Sequence, residues 1–372
     1  MSFPTRRIVL AGAAGFAGAA LPTLAVMAGD PAARAKRLYS QAMVINGNLV
    51  APMDDEADLD AVTQAQIRAS GVTALKMSLG GARGDYAFAK NDIAFADRAI
   101  ARSNGLYMKV TRLADLDVAK RTGKVGVIYS FEAAEMLDGR PERIDEFAAL
   151  GVKIMQLGYN NASPFAAGCL TPQPSGGLTE LGREAVARMN SVGVTLDVSH
   201  ADDLSTRQAI AVARRPPTIT HAACSAVYAH PRNKTDAALK ALADKGGVVG
   251  LYELCFIGPG PNQQTPEEYL AHLLHALKVC GEDHVGIGSD ALLTPFDTSP
   301  EAMARWDSDI AARKAAGVNA PGEGRPPFVE GLNRPDRGLV IAERLLHFGY
   351  SERAVEKVLG GNFRRVFAET WA

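Results

Sequence analysis

The strongest constraint on how this chain can fold is a regular alternation of short apolar runs with amphipathic helical patterns. Eight runs read as strands, at residues 43–48, 72–79, 125–131, 152–159, 194–200, 218–221, 248–254 and 285–290. Between them lie helical stretches. Residues 178–191 carry Leu181, Val186, Ala187 and Met189 as an apolar side, and residues 266–279 open with Thr265 as N-cap and Glu267 and Glu268 in the first turn. Gly71, Gly151, Gly193, Pro217 and Gly247 punctuate the junctions. Eight apolar strands, each followed by a helix, predict a parallel (β/α)8 barrel of the TIM type. A doubly wound sheet is the alternative, but no G-x-G-x-x-G turn follows the first run. Residues 291–337, with Pro295, Pro300, Pro321, Pro326 and Pro327, form a long irregular insertion after the eighth strand. So long a connection in a compact domain is a lid or insertion. Residues 29–372 are therefore expected to form a single domain.

Residues 1–28 have a different character. Thr5-Arg6-Arg7-Ile8-Val9-Leu10 opens an uncharged run to Ala28, and Val26-Met27-Ala28 supplies a small-residue cleavage site. This reads as a twin-arginine export signal, which predicts a periplasmic or secreted protein with no stable membrane span once the signal is removed. An uncleaved anchor is the alternative by length. Pro22, Thr23 and the many Gly and Ala residues make it the poorer reading. With 40 basic against 41 acidic side chains the chain lacks the basic stripe of a nucleic-acid binder. Cys169, Cys224, Cys255 and Cys280 are too few for a disulfide scaffold and contain no C-x-x-C pair. Cys224 lies three residues beyond His221, and the preferred reading is a buried structural thiol. Any metal must be held by carboxylates and by the seven histidines.

In a barrel of this class chemistry sits at the C-terminal strand ends. Those ends are Asn48, Ser78, Glu132, Tyr159, His200, His221, Glu253 and Asp290. A lone histidine at a strand end is more often a core or capping residue. Two on consecutive strands, with acids on two others, favour a shared metal site. Imidazole and carboxylate suit zinc in a three-ligand site that leaves a position open for water. Asp290 ends Gly286-Ile287-Gly288-Ser289-Asp290 and could take a proton from that water. His230, His272, His275, His284 and His347 fall in loops, helices or a strand start and read as structural or solvated.

Several stretches occur together and in order: Val127-Ile128-Tyr129-Ser130-Phe131-Glu132, Gly177-Leu178-Thr179-Glu180-Leu181-Gly182, Leu196-Asp197-Val198-Ser199-His200, Thr220-His221-Ala222 and Arg232-Asn233. They continue with Asp283-His284-Val285-Gly286-Ile287-Gly288-Ser289-Asp290, Gly349-Tyr350-Ser351 and Leu359-Gly360-Gly361-Asn362-Phe363. From about Ser40 onward the chain resembles the renal, or membrane, dipeptidase family of amidohydrolase-like barrels. The resemblance implies a zinc dipeptidase with a two-metal centre. Glu132 would bridge the metals, His200 and His221 would hold the second, and Asp290 would act on the first-metal side as proton acceptor. Arg232 would grip the terminal carboxylate of a dipeptide, a task suited to a planar guanidinium. The resemblance also admits a homodimer.

The departures from the family pattern limit the expectation. The family's Asp-Gly-His-x-Asp after the first strand is here Asn46-Gly47-Asn48-Leu49-Val50, which removes both strong ligands of the first metal. A single zinc ion at Glu132, His200 and His221 is therefore favoured, with two as the alternative and Asp290 left free as the base. Lys76 either compensates with a positive charge or points to solvent from a strand margin, and Asp54 or Asp55 are weaker candidates for substitute ligands. Tyr159 replaces a histidine in the family's Thr-His-Asn and can still donate to an oxyanion, as catalytic and substrate-binding residue. Ala291-Leu292-Leu293 replaces Phe-Asp-Gly beside the site. Two other functions stay open: a non-hydrolytic binding protein for small carboxylates, and an amidohydrolase acting on lactones or acylated amino acids.

Overall fold

The computed structural model describes residues 30–371. The export signal expected over residues 1–28 lies outside the described residues. Among the described residues eleven strands occur in order: β1 (Ile45–Asn46), β2 (Leu49–Val50), β3 (Ala74–Leu79), β4 (Tyr107–Lys109), β5 (Val125–Phe131), β6 (Val152–Met155), β7 (Thr195–Leu196), β8 (Thr218–Ala222), β9 (Val248–Leu251), β10 (Val285–Ile287) and β11 (Ala291–Leu292). The main sheet is parallel and runs β7-β6-β5-β3-β1-β10-β9-β8. It closes through a parallel bridge from Asp197, just past β7, to Thr218 of β8, where Val198 N–H donates to the Thr218 carbonyl at 3.0 Å. Closure removes both sheet edges and makes a (β/α)8 barrel, which disposes of the doubly wound alternative.

Each of the eight expected runs overlaps one barrel strand; most strands are shorter than the runs, whereas β8 extends one residue further, to Ala222. Beyond Met155 and Leu196 the chain leaves the ladder and turns polar side chains over the mouth. Three strands were not expected. The short strand β4 pairs with the first half of β5 (Tyr107↔Val125, Lys109↔Val127), while β6 pairs with its second half (Tyr129↔Val152, Phe131↔Met155). A separate parallel pair, β2 with β11, sits just beyond β1 and β10 and brings position 48 beside position 290, with Asp290 N–H donating to the Asn48 carbonyl at 2.8 Å.

The barrel interior is tight where β1, β8, β9 and β10 meet. A Cβ on Gly288 would lie 1.8 Å from the Thr220 carbonyl oxygen, one on Gly250 2.2 Å, and one on Gly47 2.4 Å. Only residues without a side chain let these backbones approach. On the outer ring, the helix Pro266–Cys280 begins with the expected Thr265 cap. It is a full capping box: Glu268 N–H donates to Thr265 Oγ1 at 3.2 Å, and Thr265 N–H to Glu268 Oε2 at 2.9 Å. The helix Glu180–Val192 buries Gly182, Ala185, Val186 and Met189, whereas Leu181 and Ala187, assigned from sequence to its apolar side, are exposed. The stretch expected to be irregular after the eighth strand contains a 16-residue helix, Pro300–Ala315, capped by Ser299. No helix among the described residues is long and apolar enough to cross a membrane.

Candidate metal centre

Glu132 follows β5, His200 lies just past β7, and His221 is inside β8. These three offer ligand atoms that all lie within 4.8 Å of one another. His200 Nε2 is 3.0 Å from His221 Nε2 and 3.7 Å from Glu132 Oε2, and His221 Nε2 is 3.8 Å from Glu132 Oε1. The surrounding hydrogen bonds determine which nitrogen of each ring carries the proton. Thr220 Oγ1 donates to Asp197 Oδ2 at 2.6 Å, so toward His221 Nδ1, 2.9 Å away, it can only accept. His200 Nδ1 meets Asn160 Oδ1 at 2.7 Å, and Asn160 is oriented by its Nδ2 donating to the Val318 carbonyl at 2.8 Å. Both rings are therefore protonated on Nδ1 and turn their Nε2 atoms toward each other and toward Glu132, with Arg232 Nη2 donating to His200 Nε2 at 3.2 Å. Burial, reinforced by the charges of Arg232 and Lys76, holds both imidazoles well below their usual pKa and thus neutral. Two neutral imidazole lone pairs 3.0 Å apart, with a carboxylate alongside, fit a shared cation.

The opposite side of Glu132 is organised differently. Lys76, in the middle of β3, is fully buried, and its Nζ donates to Glu132 Oε1 at 2.5 Å and to Asn48 Oδ1 at 3.2 Å. The solvent-facing alternative for Lys76 is thereby ruled out. The Asn48 amide nitrogen donates to Glu132 Oε1 at 2.9 Å and to Asp290 Oδ1 at 2.7 Å. Asp290 has a left-handed backbone (φ 52°), a conformation aspartate tolerates better than most residues. Its Oδ2 is 3.9 Å from His221 Nε2. Burial first, and then the Glu132 charge, push its carboxyl well above the usual carboxylate range.

The site opens into a cavity of about 290 Å³ lined by Val50, Leu292, Phe256 and Trp306 and by His200, Arg232 and Asp290. Arg232 is buried; Nη1 donates to the Ser199 carbonyl at 2.8 Å and Nη2 lies 3.2 Å from His200 Nε2. Tyr159 stacks on His200 with ring centroids 4.1 Å apart. Its hydroxyl accepts from Arg313 Nη2 at 3.2 Å, and burial raises its pKa to about 12. Arg313, from the insertion helix, is also ion-paired to Glu323. A larger cleft of about 440 Å³, lined by Val72, Thr73 and Val125, lies at the opposite strand ends.

Glu132, Tyr159, His200, His221, Arg232 and Asp290 thus converge, but other candidates do not join them. Glu253 is buried against Arg337 at 3.3 Å. Asp54 accepts from the Glu56 and Ala57 amides, and Asp55 pairs with Arg98 at 2.6 Å, so neither serves as a substitute ligand. Among the remaining histidines, His230 meets the Pro321 carbonyl, His272 the Ile257 carbonyl, His275 Asp236 and His284 the Gly247 carbonyl. All four cysteines are free thiols, and Cys224 is buried. Sequence reasoning missed Asn160, Asp197, Thr220 and Arg313. An aspartate inside the apolar run 194–200 was the one available signal, since a buried acid needs partners.

A closed parallel barrel that gathers a carboxylate and two neutral imidazoles at its C-terminal mouth has the donor set of a metal-dependent barrel hydrolase. Residues 32–305 match the model of the membrane dipeptidase family, peptidase family M19, and the chain belongs to that family. An uncharacterized dipeptidase of Schizosaccharomyces pombe is 31% identical over 187 residues, which are 49% of this chain and 44% of that protein. The chain therefore spans less than half of that relative's length. An amidohydrolase from Pseudomonas aeruginosa superposes with a TM-score of 0.78 at 28% identity, covering 91% of this chain and 99% of the other. A metallo peptidase from Rhodobacter sphaeroides, solved with a phosphinate mimic of the dipeptide L-Ala-D-Ala, shares the fold at TM-score 0.67 and 19% identity, over 89% of this chain and 99% of its own.

Proposed function

We propose that this chain is a zinc-dependent dipeptidase with a single metal ion, held by Glu132, His200 and His221, and that residues 29–372 act as one catalytic unit after export. The observation that carries the reading is the convergence of two Nε2 atoms and the Glu132 carboxylate, with Asp290 Oδ2 3.9 Å from His221. A zinc ion held by these residues would supply Lewis-acid polarisation of the scissile carbonyl and a bound water of lowered pKa. Arg232 offers its buried guanidinium to the terminal carboxylate of the dipeptide, a bidentate match that orients the amide over the site. Asp290 takes the proton from the attacking water and returns it to the departing amine. Its raised affinity for protons suits a group that must both accept and release one. Tyr159 donates its hydroxyl hydrogen to the developing oxyanion, because its oxygen already accepts from Arg313. The apolar wall of Val50, Leu292 and Trp306 favours small uncharged side chains on the substrate.

Thr5-Arg6-Arg7 followed by an uncharged run supports export, and hence a periplasmic or secreted location; N-terminal sequencing of the mature protein tests it. The activity is tested by incubating purified protein with a dipeptide panel, with and without zinc, alongside thermal-shift binding. Zinc-dependent release of free amino acids is the expected result. Binding without turnover under every metal condition would instead favour a carboxylate-binding protein. Turnover confined to lactones or acylated amino acids would favour the other amidohydrolase reading.

A further inference from the structure

We propose that Lys76 and Asn48 together take the place of the first metal ion in this chain, so that a fixed ammonium and an amide do there what a second cation would do. The inference rests on the reading of Glu132, His200 and His221 as the ligands of one ion. It concerns the other side of Glu132, where the residues do not fit a metal.

An ammonium can only donate, so the Asn48 atom that meets Lys76 Nζ at 3.2 Å must be the carbonyl oxygen. That orientation turns the amide hydrogens toward Glu132 Oε1 at 2.9 Å and Asp290 Oδ1 at 2.7 Å. A cation in this place would need lone pairs, and it would meet hydrogens. Position 50 gives no help, since Val50 is apolar and 54% exposed.

Lys76 Nζ donates a charge-assisted hydrogen bond to Glu132 Oε1, and its side chain is fully buried in β3. A divalent ion on the same oxygen would press against a positive charge that has no route to solvent. Glu132 and Asp290 are two carboxyl groups bridged by one amide, and Lys76 places a buried positive charge directly on the Glu132 end of that bridge. One consequence is geometric. With Oε1 tied to Lys76 and Asn48, Glu132 is held in one orientation, and Oε2, 3.7 Å from His200, is the oxygen left free of those donors. A second is that Asp290 is positioned through Oδ1 by a neutral amide and keeps Oδ2 for its proton. Lys76 and Asn48 are positioning residues in this account.

The test is the zinc-to-protein ratio by plasma mass spectrometry, after equilibration with excess zinc and gel filtration, on three full-length chains. The unaltered chain is expected to hold one zinc. Asn48→His with Val50→Asp restores the family's ligand types, yet should still hold one while Lys76 remains. Adding Lys76→Met to that pair should raise the ratio to two. A ratio of two in either chain that retains Lys76 overturns the assignment, as does a ratio that stays at one in a folded triple variant. If the triple variant does not fold, the first two ratios still decide. A ratio of zero in the unaltered chain would strike at the metal-centre reading itself, and so separates failure of that reading from failure of this one.

Discussion

His200 and His221 are ligand-like because of what holds their other nitrogens. Asn160 accepts from one ring, and Thr220, itself committed to Asp197, accepts from the other. Replacing Asn160 by Ala removes that support without touching a ligand, so zinc affinity should fall about 10- to 100-fold in competition with a chromophoric chelator. Asp290→Asn keeps the shape of the side chain and removes its basicity. Its kcat on a cleaved dipeptide should fall by about 10²- to 10⁴-fold with zinc content unchanged, and unimpaired turnover would exclude it as the base. Glu132, His200, His221 and Asp290 were legible in the sequence because each ends an apolar run, where a polar side chain has to be either functional or paired. The direction of Lys76 was not legible. In a strand buried on both faces, burial alone does not say which side chains turn toward the barrel axis.

The insertion helix Pro300–Ala315 and the loop after it connect the mouth of the barrel to its chemistry. Asn160 holds the Val318 carbonyl, His230 the Pro321 carbonyl, and Arg313 reaches down to the Tyr159 hydroxyl. If Tyr159 serves the oxyanion, Tyr159→Phe should lower kcat by about 10²- to 10³-fold, the usual cost of one such donor. Arg313→Met should cost less alone and almost nothing further when combined with Tyr159→Phe, since Arg313 acts through that hydroxyl. Additive losses in the two variants would contradict this coupling. The prolines made residues 291–337 look irregular in sequence. Pro300 in fact stands at the first helical position behind a Ser299 cap, where its missing N–H costs nothing. The shortness of β4 hid it from periodicity, which needs more than three residues to register. The glycines of Gly286-Ile287-Gly288 have a separate reason. Gly288→Ala would force a Cβ onto the Thr220 carbonyl, one residue before His221. It should cost at least about 1–3 kcal/mol in denaturant unfolding, the range for overpacked interiors.

At the level of the whole molecule, the eight-fold alternation specified the barrel, and closure between β7 and β8 then placed eight strand ends around one opening. What the alternation could not specify was which of those ends share a hydrogen-bonded network. Glu253 looked equivalent to Glu132 until its pairing with Arg337 took it out of the site. Because the two histidines come from neighbouring strands at the closing seam, zinc should bind the folded barrel and not the unfolded chain. Free zinc at 100 times its dissociation constant should then stabilise the fold by about 2.7 kcal/mol, seen as a rise in melting temperature that grows with zinc concentration. The central claim, a dipeptidase running on one metal ion, is tested most directly by stripping the protein of metal and restoring dipeptide hydrolysis by stepwise addition of zinc. Activity should rise linearly and reach its plateau at one equivalent per chain. A plateau reached only at two equivalents, or full activity in the stripped protein, would contradict it.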